Sequence, residues 1–514
     1  MGSNTSKEVK TTTEETFNEK VSYSSSSSQY DSYSHLLSRM DVSREDVEAK
    51  EDEDNGDGNG IWPGISVGLL DGWKGDVLRD DKNKLVQNSL AINPIQSIIA
   101  KSDVETVLKD QYFFNVTVKT IGSPSYFNNQ KSSGRCWIFA ASNVFRTSVI
   151  KNYNLKDDSF QLSQAYLFFY DKLEKSHFFL DNIADTADHD LDSRLVQYLL
   201  SSPVGDGGQW DMIVNLVEKY GLVPHQVFPD NAQASNSSPL NYLVTEKLRE
   251  AALIIRRLYQ EKAPQPVIEI LKGATVYTVF KILSLALGSP PNADEPFTWE
   301  YIDKDGKYKS YQTNPRDFYR DHVRLDAAKH FSLIHDPRND YDKLYTVDRL
   351  NNILGGKKIE YVNTEIDEIK SVAIKMLKDD EPIFFGSDVG KFGDRSSGVL
   401  DVTAYDYKLA FNISLGLDKA ERLRTGSSQM THAMVITGVH LDPVTQLPVR
   451  WKIENSWGDA VGDKGYFVMS DEWFSEYVFQ IVTNKKYASK KTYDTWKGKD
   501  FTVLPYYDPM GSLA

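Results

Sequence analysis

The sequence predicts an α+β fold, and three features of its 514 residues carry that reading. Apolar residues recur at helical spacing in the first half, most clearly after Cys136, where Trp137, Ala140, Ala141, Val144, Phe145 and Ile150 share a pattern. Short segments bounded by turn residues gather in the second half, apolar at 382–386 and 432–439 and mixed at 451–454, and read as strands. Between them, 231–362 is too long and too periodic for a loop, so a domain-sized, mainly helical insertion is expected.

Composition narrows the function classes. A hydrophobic content of 40% with 12% aromatics describes a globular chain. The single cysteine excludes an intrachain disulfide and a cysteine-cluster metal site, and it fits a reducing, cytoplasmic setting. There is no His-Glu-x-x-His, and His432 and His440 lie eight residues apart, so no metal or other cofactor is expected. Residues 1–60 hold 14 acidic and 6 basic residues, more than half of the net charge of −14, so the charge describes a tail more than the folded part.

In chain order, 1–60 is an acidic, serine-rich extension, expected to be disordered because it cannot bury enough apolar surface. Its first residues match the permissive myristoylation pattern at Gly2, and its polar start shows no secretory signal. Residues 61–230 form the first part of the core, with 80–104 as helix and connector leading to the cysteine loop. Ser163 is placed to cap the helix that follows it. The loop around Gly207-Gly208 precedes a helix over 212–220 that stops at Gly221.

The insertion, 231–362, opens with a helix whose face is Leu248, Ala251, Ala252, Ile255, Leu258 and Tyr259, followed by a second over 275–287. The apolar stretch 274–288 is interrupted by Lys281 and falls short of the roughly 20 residues that cross a bilayer, so no stable membrane insertion is expected. Residues 298–301 and 308–311 read as extended. The second part of the core, 363–490, begins with a helix over 364–377 and a strand over 382–386. His432 heads an apolar strand, Asn455 ends the next, and 462–468 is a turn and return strand. Residues 491–514 are a C-terminal arm.

A lone cysteine is most often a small buried hydrophobe. Cys136, however, opens a helix after Gly134, where the positive end of the helix dipole favours the nucleophilic thiolate. Gln130 can give an amide donor to a developing oxyanion, His432 can act as base, and Asn455 can fix its tautomer while Trp457 shields that bond.

The window Ser133-Gly134-Arg135-Cys136-Trp137, with Gln130, Cys136, His432 and Asn455 in that order, resembles the papain-like cysteine peptidases, with Ser133 in place of their structural cysteine. His432 lies 296 residues beyond Cys136, against about 130–150 in that family, and the insertion accounts for the excess. Over 88–514 the chain resembles the bleomycin hydrolase branch, through the window, the insertion and the tail 504–514. That resemblance implies a papain-like two-lobed fold with the C-terminal arm in the active-site cleft. It implies an oxyanion hole from the Gln130 amide and the Cys136 backbone N–H, and Gly207 and Gly208 in close approach to a bound peptide. It also implies that the Ala514 carboxylate meets the amino group of peptide substrates with a free N-terminus, which makes an aminopeptidase, and that the chain assembles as a homohexamer.

Two rival readings remain. Lys485, Lys486, Tyr487, Lys490, Lys491, Tyr493, Trp496, Lys497 and Lys499 interleave cations with aromatics as single-strand nucleic-acid binders do, and some fungal members of the family are associated with nucleic acid. An inactive peptidase-fold scaffold is the other, although no substitution stands at the four catalytic positions.

Overall fold

The computed structural model describes residues 67–110, 112–119, 128–155 and 160–513, together with Arg39 and Ile65. The expectations for the N-terminal extension, for Gly2 and for the Ala514 carboxylate lie outside the described residues.

Residues 67–99, read from sequence as a lead-in to the core, group with 406–416 as a unit of their own. Helices Val67–Arg79, Asp81–Leu90 and Ile95–Ile99 follow one another, and the Asp80 carboxylate caps the second by accepting from the Lys82 N–H at 2.8 Å. Lys82 Nζ donates to the Leu409 carbonyl at 3.0 Å.

The large unit, 100–405 with 417–513, holds everything that follows. Its first lobe is helical: α1 (Cys136–Tyr153), α2 (Gln164–Asp185), α3 (Trp210–Tyr220), α4 (Ser238–Gln260) and α5 (Gln265–Leu287). Local chemistry sets their ends. Ser163 accepts from the Tyr166 N–H at 3.0 Å to start α2, and Gly221 at φ 75° ends α3. A Cβ at Gly221 would sit 2.1 Å from the Pro315 carbonyl oxygen, so no other residue fits that turn. α1 is buried on all sides, with Trp137, Ile138, Phe139, Ala141, Phe145 and Val149 essentially without exposure. A helix apolar all round belongs between two layers, and α1 packs between the other helices and the sheet.

The second lobe is built on a sheet that has 12 strands among the described residues. Its main strands are β1 (His330–Ile334), β2 (Lys343–Val347), β3 (Tyr361–Asn363), β4 (Ile383–Ser387), β5 (His432–Leu441), β6 (Pro448–Glu454), β7 (Tyr466–Ser470), β8 (Val478–Asn484) and β9 (Phe501–Leu504). They run in the order β9-β2-β3-β1-β8-β4-β5-β6-β7. Side chains alternate across the sheet, and both faces are covered. Ala433 and Val435 join the helical core, while Met434 and Ile436 join a second core with Ile369, Val372 and Trp473 from helices Ile366–Lys378 and Asp471–Tyr477.

Two features differ from the sequence reading. The last part of 231–362 is not helical, since β1, β2 and β3 belong to the main sheet, whereas the extended segments expected at 298–301 and 308–311 are there as a separate hairpin, Phe297–Ile302 with Tyr308–Thr313. Strands buried on both faces lack the alternation that marks a half-exposed strand, and Tyr361–Asn363 is only three residues long. The length argument against a membrane span also fails, because α5 starts at Gln265 and by length and composition could cross a bilayer. Here it packs beside α2 and α4, with Val279 and Leu283 buried and Lys272 paired to Asp181 at 2.8 Å, while Ile270, Tyr277 and Leu285 face outward.

Candidate active site

The cysteine turn is held from three directions. Asp206 accepts from the Gly134 N–H at 2.9 Å, and its main-chain oxygen accepts from Trp137 Nε1 at 2.7 Å. Arg135, fully buried, donates two bonds to Asp230 at 3.0 and 2.7 Å. Ser133 Oγ accepts from Arg135 Nε at 2.9 Å and donates to the Gln130 carbonyl at 2.6 Å, so hydrogen bonds tie the loop at the position expected for a structural cysteine. Cys136 then opens α1 with 2% exposure.

His432 and Asn455 are brought together by strand register. Val435 of β5 lies opposite Glu454 of β6, so the head of β5 meets the residue just past the end of β6. His432 Nε2 is 2.8 Å from Asn455 Oδ1, which also accepts from the Ser456 N–H at 2.8 Å. That bond occupies Nε2 and leaves Nδ1 for other work. Trp457 covers the ring at 4.8 Å between centroids, and both His432 and Asn455 are buried.

Gln130 joins the same cluster. Its N–H donates to the Ser456 carbonyl at 2.8 Å, its Oε1 accepts from Ser456 Oγ at 2.6 Å, and its Nε2 donates to the Ser133 carbonyl at 2.6 Å. A primary amide has a second N–H to offer beside the cysteine turn. Burial dominates the electrostatics. It pushes the Cys136 thiol up to about 11, against backbone hydrogen bonds from Ala433, Trp137 and Cys136 that favour the thiolate. It pulls His432 down to about 4, with the Asn455 bond raising it and Arg395 lowering it. Burial thus opposes the thiolate that the helix terminus favours. A lone charge on either group is unfavourable in this dry site, and the charged forms are compatible with it as a pair.

Gly207 and Gly208 lie against the cysteine turn. Lys175 Nζ donates to the Gly207 carbonyl at 2.6 Å, and a Cβ at Gly208 would fall 2.5 Å from the Trp137 ring. The close approach that Gly208 permits is thus to the tryptophan beside Cys136. The C-terminal arm reaches the same place. β9 pairs in parallel with β2, Asp508 accepts from Arg338 at 2.8 Å, and the Ser512 carbonyl accepts from Gln209 Nε2 at 2.8 Å. Met510 and Gly511 are buried, and Leu513 packs on the helical core.

Sequence reasoning missed three supports. Asp206 is one: burial alone would raise its carboxyl, but Lys172 at 2.5 Å and the Ser237, Asn241 and Gly134 bonds hold it well below the usual carboxylate range. The second is the buried ion pair of Arg146 with Glu454 at 2.8 Å, which joins α1 to the strand carrying Asn455. The third is Asn128, whose amide donates to the Asn455 carbonyl at 2.7 Å. The available signal was Glu454, the one carboxylate of a strand that also carries Trp451 and Ile453, since a charge in a core strand needs a partner.

The aromatics of the basic-aromatic stretch are turned inward, while its lysines are exposed. Trp496 is buried, stacks on Phe331 at 4.6 Å and donates to Glu360 at 2.6 Å, while Lys491 pairs with Asp342 and Lys499 with Glu360. Among the described residues no cluster of His, Cys, Asp and Glu is arranged to hold a metal.

With this geometry in place, residues 64–511 match the Peptidase C1-like family model. The chain belongs to the Peptidase C1-like family. It is 42% identical over 460 residues to "Cysteine proteinase 1, mitochondrial" of Saccharomyces cerevisiae, covering 88% of this chain and 93% of that one. It is 44% identical over 392 residues to aminopeptidase C of Lactobacillus delbrueckii, covering 75% and 86%, and 43% identical over 418 residues to mouse bleomycin hydrolase, covering 80% and 90%. The crystal structure of PepW from Lactobacillus rhamnosis superposes with a TM-score of 0.84 at 42% identity, covering 88% of this chain and all of that one. The papain-like α+β fold read from the sequence is therefore that of the family.

Proposed function

We propose that this chain is a cysteine aminopeptidase of the bleomycin hydrolase kind, releasing N-terminal residues from peptides and hydrolysing related amides by acyl transfer. The observation that carries the reading is the His432–Asn455 bond of 2.8 Å set beside the head of the Cys136 helix. Transfer of the thiol proton to His432 makes a thiolate–imidazolium pair, so two charges that burial disfavours singly arise together. The thiolate attacks the substrate carbonyl, and the Gln130 amide with the Cys136 N–H receives the oxyanion. The imidazolium protonates the leaving amine, and neutral His432 then takes a proton from water for deacylation. Asn455 holds the ring throughout.

Exo-specificity is assigned to the arm. Ser512 is tied to Gln209, next to Gly207-Gly208, and this supports a substrate-facing role for the Ala514 carboxylate. A carboxylate there pairs with a substrate ammonium, and the arm fills the cleft beyond it. Deleting 511–514 tests this: the variant is expected to lose preference for a free N-terminus and to cleave N-blocked peptides, and unchanged preference would refute the assignment.

Assembly as a homohexamer is part of the proposal. The outward apolar side chains Leu253, Ile254, Ile270, Tyr277 and Leu285 on α4 and α5 support an association surface, and light scattering on the purified protein measures the mass. A cytoplasmic location is likewise proposed, from the lone cysteine, and cell fractionation tests it against the mitochondrial location in the yeast relative's name.

A further inference from the structure

A cavity of about 890 Å³ lies behind α1, lined by the C-terminal half of that helix, by 324–330, and by 484–497. Val144, the wall residue of α1 nearest in sequence to Cys136, is 8 residues along the helix from it, about 12 Å at the helical rise. The cavity is therefore separate from the nucleophile.

Its charge is unusual for a chain of net charge −14. Six cations and two carboxylates line it. Three of the cations are neutralised: Lys151 by Asp380 at 3.0 Å, Lys329 by Asp326 at 2.8 Å and Lys486 by Asp379 at 2.7 Å. Arg324, Lys485 and Lys497 have no carboxylate at ion-pair distance among the described residues. The lining carboxylate outside these pairs, Glu381, is half-buried, and its burial favours the neutral acid. Arg324 is held at the mouth by a left-handed backbone, φ 58°, and by an Nε bond to the Asp321 carbonyl at 2.6 Å. For a residue with a long side chain that conformation is uncommon, and here it falls on a cation of the cavity lining. The walls add aromatic surface from Tyr493, Trp496 and Tyr487. A volume in this range suits a ligand of drug or nucleotide size.

We propose that this cavity binds a nucleotide-sized polyphosphate anion, its phosphates held by Arg324, Lys485 and Lys497 and its ring against Tyr493, the aromatic of the lining that is partly exposed. A single-stranded nucleic acid fits less well. Its bases need exposed stacking faces, whereas Trp496 is buried against Phe331 and Tyr487 is buried. Along the same stretch Lys491 and Lys499 are already paired to carboxylates, which weakens a basic track beyond the cavity.

The test is calorimetric titration of the full chain with ATP, pyrophosphate, adenosine and a 20-nucleotide single strand, at low and high salt. Saturable binding of ATP, weaker binding of pyrophosphate and none of adenosine are expected, with affinity falling as salt rises. The double variant K485E/K497E should weaken ATP binding at least about tenfold while leaving peptide hydrolysis and Tm unchanged. Arg324→Gly keeps the left-handed backbone open to the chain and should weaken binding as well. Absence of saturable ATP binding at low salt, ATP binding unaffected by either variant, or tighter binding of the oligonucleotide than of ATP would each overturn the proposal.

Discussion

Replacing Arg146 with methionine tests whether the two lobes are fastened beneath the site. Arg146 and Glu454 are 2% and 0% exposed as side chains, and their 2.8 Å pair links α1 to the strand that ends at Asn455. Without the guanidinium, the donor left to Glu454 among the described residues is the Asn128 amide at 3.3 Å. Removing one partner of a buried ion pair costs about 3–5 kcal/mol. Burial already raises the Glu454 carboxyl and Arg146 opposes that rise, so the variant raises it further. The sign follows from proton uptake. A carboxyl raised on folding binds more protons in the native state, so its destabilisation is full above the native value and fades as pH falls toward the unfolded value near about 4.3. Urea unfolding at pH 7.5 and pH 5 measures this, with the m-value as a check on the two-state reading. The expected loss is about 3–5 kcal/mol at pH 7.5 and visibly less at pH 5. The double variant Arg146→Met with Glu454→Leu, which removes both charges, should recover most of it. A loss below about 1 kcal/mol, or one independent of pH, would refute the reasoning.

Three further outcomes follow from the site. Gln130→Ala should lower kcat about 10²–10³-fold with a smaller change in KM, and steady-state kinetics on an aminoacyl-amide read both; equal kcat would remove Gln130 from the oxyanion hole. The pH profile of kcat/KM should be a broad plateau, because the pair reacts with one shared proton. Activity is lost on the acid side as His432, pulled down to about 4, gains a second proton, and on the alkaline side as Cys136, pushed up to about 11, loses the last; a narrow bell centred near neutrality would contradict this. Gly208→Ala places a Cβ 2.5 Å from Trp137, and overpacking there should cost about 1–3 kcal/mol in unfolding experiments and reduce kcat by shifting the cysteine turn.

Much of the site was legible in the chain because its chemistry depends on side chains with local flags. Cys136 opens a helix, His432 heads an apolar strand and Asn455 closes the next, and each carries its own flanking pattern. The caps at Ser163 and Gly221 were equally readable, since they rest on one residue and its neighbours. What escaped was set by contacts distant in sequence. Asp206 reaches Gly134, Lys172, Ser237 and Asn241, and nothing in its immediate neighbours announces four partners. Strands β1 to β3 hid inside a stretch read as helical, because burial on both faces erases their period. The stretch 485–499 reads from sequence as a solvated face or, as a rival, a nucleic-acid surface, because composition does not say which way Tyr487 and Trp496 point.

The most direct measurement compares hydrolysis of a free-amino aminoacyl-amide fluorophore with its N-acetylated twin, under reducing conditions, with Cys136→Ala as the blank. The proposed function predicts release from the free-amino substrate, none from the acetylated twin, and none from either with the variant. Equal cleavage of the acetylated twin would contradict the role of the arm, and turnover surviving in Cys136→Ala would contradict the nucleophile.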